Sequence, residues 1–138
     1  MAIINAVAGA ILVAFGLFLI GGTVVVFARP EVAERFFVLF ASSARTHYTE
    51  QAVRLLVGAS LIIRSAAMWE AKVFWFVGWA IVLSSLALIL TPWQWHHRIG
   101  ERVLPMLIRR MKVYAAGLLA FGIVIIYAVF AGVSPTAA

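Results

Sequence analysis

Apolar residues run almost unbroken over four stretches, Ala2 to Ala28, Ala52 to Trp69, Phe74 to Leu90 and Val113 to Val133, and polar residues gather in the two longer gaps between them. Each stretch approaches or exceeds the ~20 residues that carry an α-helix across a ~30 Å hydrocarbon layer. A backbone in oil must satisfy its hydrogen bonds internally, so runs of this length predict helices. The second is the weakest, because Arg64 falls inside it. The first has no Lys or Arg ahead of it and is much longer than the apolar core of a signal peptide, so it is expected to stay in the mature chain as a helix. The pattern predicts an all-α membrane protein: one domain over 1–138, with four transmembrane helices arranged as two sequential helical hairpins.

The gaps carry a helical period of their own. Between the first two runs, Val32, Phe36, Phe37, Leu39, Phe40 and Ala41 share one broad side of a helical wheel, and Glu31, Glu34, Arg35, Ser42 and Arg45 share the other. Arg29-Pro30-Glu31 suits the start of such a helix, since proline is tolerated at the first position and acidic groups are favoured at the positive end of the dipole. Between the last two runs, Thr91-Pro92-Trp93-Gln94 reads as a capping box. Arg98, Arg102, Arg109 and Lys112 then cluster opposite Ile99, Val103, Met106 and Leu107, with a kink or break expected near Leu104 because Pro105 follows it. Both segments are expected to lie in the membrane interface.

The two halves, about 1–70 and 71–138, repeat the order span, proline, amphipathic segment, span. Pro30 corresponds to Pro92, and counting onward pairs Gly58 with Gly117, at 28 and 25 residues from their prolines. Each unit crosses twice and returns to its starting side, so an internal duplication here is of the parallel kind, not the inverted kind of many transporters.

Composition narrows the environment. Of 138 residues, 65% are hydrophobic and 12% charged, with a mean hydropathy of +1.09, too little polar surface to clothe a soluble fold of this size. There is no cysteine, which excludes disulfides, thiolate metal sites and thiol catalysis. Nine of the eleven basic residues, Arg29, Arg35, Arg45, Arg54, Arg98, Arg102, Arg109, Arg110 and Lys112, lie in or beside the two long gaps, and only Arg64 and Lys72 lie elsewhere. Positive charge favours the cytoplasmic side, so both gaps are expected there, with both termini and the middle turn on the outer, periplasmic side. Trp69, Phe74, Trp75 and Trp79 would then gather at the outer edge and Trp93, Trp95 and Tyr114 at the inner, as interfacial anchors. A net charge of +6 placed this way points to anionic phospholipids and not to nucleic acid.

The stretch Leu90-Thr91-Pro92-Trp93-Gln94-Trp95-His96-His97-Arg98, the basic segment with Pro105 and the Gly/Ala-rich last span resemble a family of small uncharacterised bacterial inner-membrane proteins, over roughly the last third of the chain. That resemblance implies a multi-pass inner-membrane protein and no particular activity.

Candidate chemistry is sparse. Arg64 is expected to snorkel outward toward Glu70 and Lys72. His97 and Glu101 are four apart and could face one metal, but neighbouring His96 and His97 diverge by about 100° on a helix and are read as interfacial residues, with His47 no partner to them. GxGxxG, Walker A, GxSxG and HExxH patterns are absent. No catalytic residue, metal or cofactor is predicted, and the chain is expected not to be an enzyme.

Small residues instead line helix faces: Ala2, Ala6, Ala10 and Ala14, with Gly9 and Gly16, in the first span; Gly58 in the second; Ala116, Gly117 and Ala120 in the last. Such faces allow close helix approach in lipid. The reading is a non-enzymatic accessory or scaffold subunit that packs against other membrane subunits or a second copy of itself, with Arg98, Arg102, Arg109, Arg110 and Lys112 on anionic headgroups. Two alternatives are a small transporter or channel formed by an oligomer, and an anionic-lipid-binding membrane-surface protein.

Overall fold

A computed structural model of the chain describes the backbone of residues 1–41 and 43–132, and the side chains of these except Phe40, Ala41, Trp93 and His96. Ser42 and the expected end of the last span at Val133 therefore lie outside the described residues. The elements are all helical: α1 (Ala2–Ala28), α2 (Pro30–Ala41), α3 (Ala44–Arg64), a 3-10 turn at Ser65–Ala67, α4 (Ala71–Leu90), α5 (Trp93–Arg109) and α6 (Met111–Ala131), with no strand among the described residues.

Three of these, α1, α4 and α6, are long and apolar enough to cross a membrane. α3 is as long as α6, with 21 residues, but carries Arg45, His47, Glu50, Gln51, Arg54 and Arg64. Large hydrophobic side chains stand on the exterior, among them Leu17, Phe18, Phe76, Leu83, Ile123 and Phe130, an exposure compatible with a multi-pass membrane protein.

Two antiparallel helix pairs make the core, α1 with α6 and α3 with α4, joined where α1 packs on α3. Each pair crosses at facing glycines. A Cβ on Gly16 would sit 3.0 Å from the Gly122 carbonyl oxygen and one on Gly122 2.9 Å from that of Gly16; Gly58 and Gly78 exclude each other's Cβ in the same way, at 3.0 and 2.9 Å. Backbones this close gain dispersion contact that larger residues would prevent. Leu12, Val57, Leu61, Met68, Phe74, Ile125, Ala128 and Val129 fill the space between the pairs. At the α2 end, Ala33 packs with Val26 and Ala115, flanked by Phe37 and Met111, and the Thr23 hydroxyl lies 2.9 Å from both the Leu19 and Ala115 carbonyl oxygens.

Several boundaries differ from expectation. α3 begins at Ala44 rather than Ala52, because the Ser43 hydroxyl accepts from the Thr46 amide at 3.2 Å and so starts a helix ahead of the apolar run. It ends at Arg64, and the chain turns through the 3-10 segment and Glu70, whose φ of 53° is left-handed, before α4. The capping box at Thr91 does not form. Its hydroxyl donates back to the Ala87 carbonyl at 2.8 Å, ending α4, while Pro92 precedes α5 with no side-chain cap. α5 remains a single helix through Pro105, so of the kink or break expected near Leu104 the break is absent. Phe74, expected at an interface, is 3% exposed in the core.

Candidate functional site

Polar chemistry inside the bundle is concentrated on α3. At the turn end, meaning the end of the α3–α4 turn, the Arg64 guanidinium donates from Nη1 to Asn5 Oδ1 of α1 at 2.9 Å. It rests on Gly9, where an added Cβ would meet Nε at 3.4 Å. Nε is buried and finds no acceptor among the described residues, and Arg64 forms no ion pair there. The expected outward snorkel toward Glu70 and Lys72 is replaced by this inward contact: Gly9 leaves room for the side chain, and Asn5 supplies an acceptor across the helix interface.

Toward the opposite end, where α2 and α5 lie, Arg54 links α3 to α4. Its Nε donates to Ser85 Oγ and its Nη2 to Ser84 Oγ, both at 3.2 Å, and Nη1 is 3.7 Å from Glu50 Oε1. Ser85 is fully buried. One turn before Arg54, Gln51 is also fully buried, and its amide has no hydrogen-bond partner among the described residues. His47, another turn earlier, is buried and meets Tyr48 edge-on with ring centroids 5.3 Å apart. Residues 47, 51, 54 and 58 fall on one helical stripe. Beginning the second span at Ala52 leaves His47 and Gln51 out of the bundle, so the sequence reading missed them; their spacing from Gly58 is the signal that places them inside it.

The two polar ends do not join. Between them Val57 and Leu61 pack with Leu12 and Ile125, and the Gly58 and Gly78 backbones are in contact. This layer is apolar and close-packed, and the Ser60 hydroxyl within it donates to the Leu56 carbonyl of its own helix at 2.8 Å. Among the described residues, no continuous polar route runs along α3.

Outside the bundle, α5 exposes Arg98, Arg102 and Arg109, followed by Arg110 and Lys112 at the start of α6. Beside them Trp95, Ile99, Val103 and Met106 are exposed as well, so the helix shows a basic and an apolar side together. A shallow recess at the α5–α6 junction is lined by Ile108, Arg109, Arg110, Met111, Lys112 and Val113. His97 Nε2 lies 3.3 Å from Glu101 Oε1. No group of three or more His, Cys, Asp or Glu side chains among the described residues is placed to hold a metal, and the side chain of His96 lies outside them.

The expected packing residues divide. Gly9, Gly16 and Gly58 are buried, whereas Ala6, Ala10, Ala116, Gly117 and Ala120 are exposed. Gly78 and Gly122, the partners of Gly58 and Gly16, were not singled out in the sequence. No protein-family model, curated protein or solved structure matches the chain.

Proposed function

We propose that the chain is a non-enzymatic scaffold or accessory subunit of a membrane protein complex, crossing a bacterial inner membrane four times through α1, α3, α4 and α6. In this reading α2 and α5 lie on the cytoplasmic leaflet, and both termini and the α3–α4 turn lie outside. The observation that carries the reading is the division of small residues. Five buried glycines are used up in holding the chain's own helices together, while Ala6, Ala10, Ala116, Gly117 and Ala120 stay exposed on an apolar exterior, free to admit another helix at close range. Duplication is part of the same reading. Gly16 and Gly78 each stand fourteen residues before Pro30 and Pro92, and each crosses the last helix of the other half. The second-half equivalent of Gly58 is then Gly122 and not Gly117.

Purification in mild detergent tests the scaffold reading. It expects a larger assembly or a homo-oligomer that Ala10→Leu or Ala120→Leu shifts toward smaller species; a stable lone monomer, indifferent to both changes, contradicts it.

The paired basic and apolar sides of α5 favour a supporting role for anionic phospholipids at Arg98, Arg102, Arg109, Arg110 and Lys112. The apolar layer around Gly58 and Leu61 speaks against conduction through a single protomer, which leaves a transporter or channel only as an oligomeric assembly.

A further inference from the structure

Arg64 is a part-buried charge whose needs the chain meets only in part. A guanidinium carries five N–H donors in a planar fork and no acceptor. At Arg64 one nitrogen is satisfied by Asn5, Nε is buried without an acceptor, and no carboxylate lies within 4.0 Å among the described residues. Arg54, the other arginine of α3, has two serine hydroxyls and Glu50. Arg64 as a whole is only half-buried, and of its nitrogens Nε alone is both buried and unpartnered, so the Nη side of the fork is the part left open.

Its height along the bundle identifies what meets it there. Asn5 lies three residues into α1, about 5 Å from the helix start. Arg64 is the last residue of α3, just before the turn. Exposed aromatic rings mark the same end: Trp69 meets Tyr127 at 5.8 Å, its amide donates to the Ala128 carbonyl at 3.2 Å, and Trp75 stands near the start of α4. Tryptophan and tyrosine concentrate where hydrocarbon gives way to headgroups. Given the four crossings proposed above, on which this step rests, the guanidinium sits at the inner edge of the headgroup layer, within reach of lipid phosphates.

We infer that Arg64, oriented by Asn5 and seated on Gly9, binds the phosphate of a phospholipid in the leaflet at the turn end of the bundle. The two Nη nitrogens of the fork match two phosphate oxygens, and the pairing supplies the countercharge that the chain withholds, while Nε stays against Gly9. Phosphates surround the bundle at that depth, whereas a carboxylate would have to be brought by a second polypeptide. Asn5 acts as a positioning residue, since one hydrogen bond to Nη1 fixes the plane of the fork. Gly9 is needed because a larger side chain would displace the guanidinium from its seat. The site is distinct from the basic side of α5, which lies at the other end of the molecule.

Native mass spectrometry of the full chain in mild detergent tests this, using dioleoyl phosphatidylglycerol and phosphate-free monogalactosyl diacylglycerol as probes. A variant with Arg98, Arg102, Arg109, Arg110 and Lys112 all changed to Gln provides the background, so that lipid held by α5 does not obscure the result. On it, one phosphatidylglycerol should bind at least tenfold more tightly than the galactolipid. Arg64→Gln should abolish that preference. Arg64→Lys, which keeps the charge but not the fork, should weaken it several-fold, and Gly9→Leu, which keeps the arginine but displaces it, should do the same.

Equal binding of the two lipids on the background overturns the proposal, as does an undiminished preference in Arg64→Gln. Should Arg64→Gln fail to fold, an undiminished preference in both Arg64→Lys and Gly9→Leu overturns it instead. Unchanged lipid binding with a smaller assembly in Arg64→Gln also overturns it, in favour of a carboxylate from a partner chain. The four crossings are tested separately by labelling from the two sides of the membrane, so a chain that crosses four times yet shows no lipid preference fails here alone.

Discussion

Gly58 and Gly117 look equivalent when counted from the prolines, yet the chain treats them differently. A Cβ at Gly58 would lie 2.8 Å from the Val82 side chain and 3.0 Å from the Gly78 carbonyl oxygen, while nothing lies within 4 Å of one at Gly117. Gly58→Ala must therefore push two helices apart and is expected to cost about 1–3 kcal/mol. Gly117→Ala should be neutral or slightly stabilising, because alanine favours the helix. Thermal unfolding of both variants in micelles checks this; equal stability of the two would contradict the crossing. A sequence read in one dimension shows that a glycine can permit close approach, but which glycine meets another depends on helix rotation and on the opposing register. That is why Gly16, Gly58 and Gly9 were legible as packing residues, and Gly78 and Gly122 were not. Arg64 was misread for a similar reason: Glu70 and Lys72 are its sequence neighbours, but Asn5, 59 residues away, is its neighbour in the fold.

α3 shows how an element differs from a hydropathy run. Its first turns, Ala44 to Gln51, contain too few apolar residues to register as a span, yet the Ser43 cap starts the helix there and the same stripe that carries Gly58 takes Gln51 and His47 into the interior. Ser43→Ala removes the cap and should lower stability by about 1 kcal/mol, with amide exchange rising first at Arg45 to His47. α5 was legible in its two-sidedness and not in its continuity. Pro105 removes one amide from the ladder, but a single missing bond leaves the flanking turns in place. If the apolar side of α5 enters the interface, a spin label at Met106→Cys will collide with dissolved oxygen, and one at Arg102→Cys with a water-soluble nickel complex. The chain has no cysteine of its own, so each label is unique. Equal accessibility to water at both positions would mean that α5 stands clear of the bilayer.

At the scale of the molecule, the helical class and the three apolar helices α1, α4 and α6 were legible, because long apolar segments have few other ways to satisfy their backbones. The pairing of α1 with α6 and of α3 with α4 was not, since small-residue faces occur on several helices and do not name their partners. What gives the assembly its character is that α3, the helix bearing Arg54 and Arg64, is packed between α1 and α4. Whether it crosses with them decides the topology, and single cysteines read it directly. Introduced at Ala2, Lys72, Arg35 and Arg98 in sealed vesicles, they are treated with a membrane-impermeant maleimide before and after lysis. Four crossings place Ala2 and Lys72 on one side and Arg35 and Arg98 on the other. Finding Lys72 on the side of Arg35 would mean that α3 does not traverse the bilayer, and would contradict the four-span architecture.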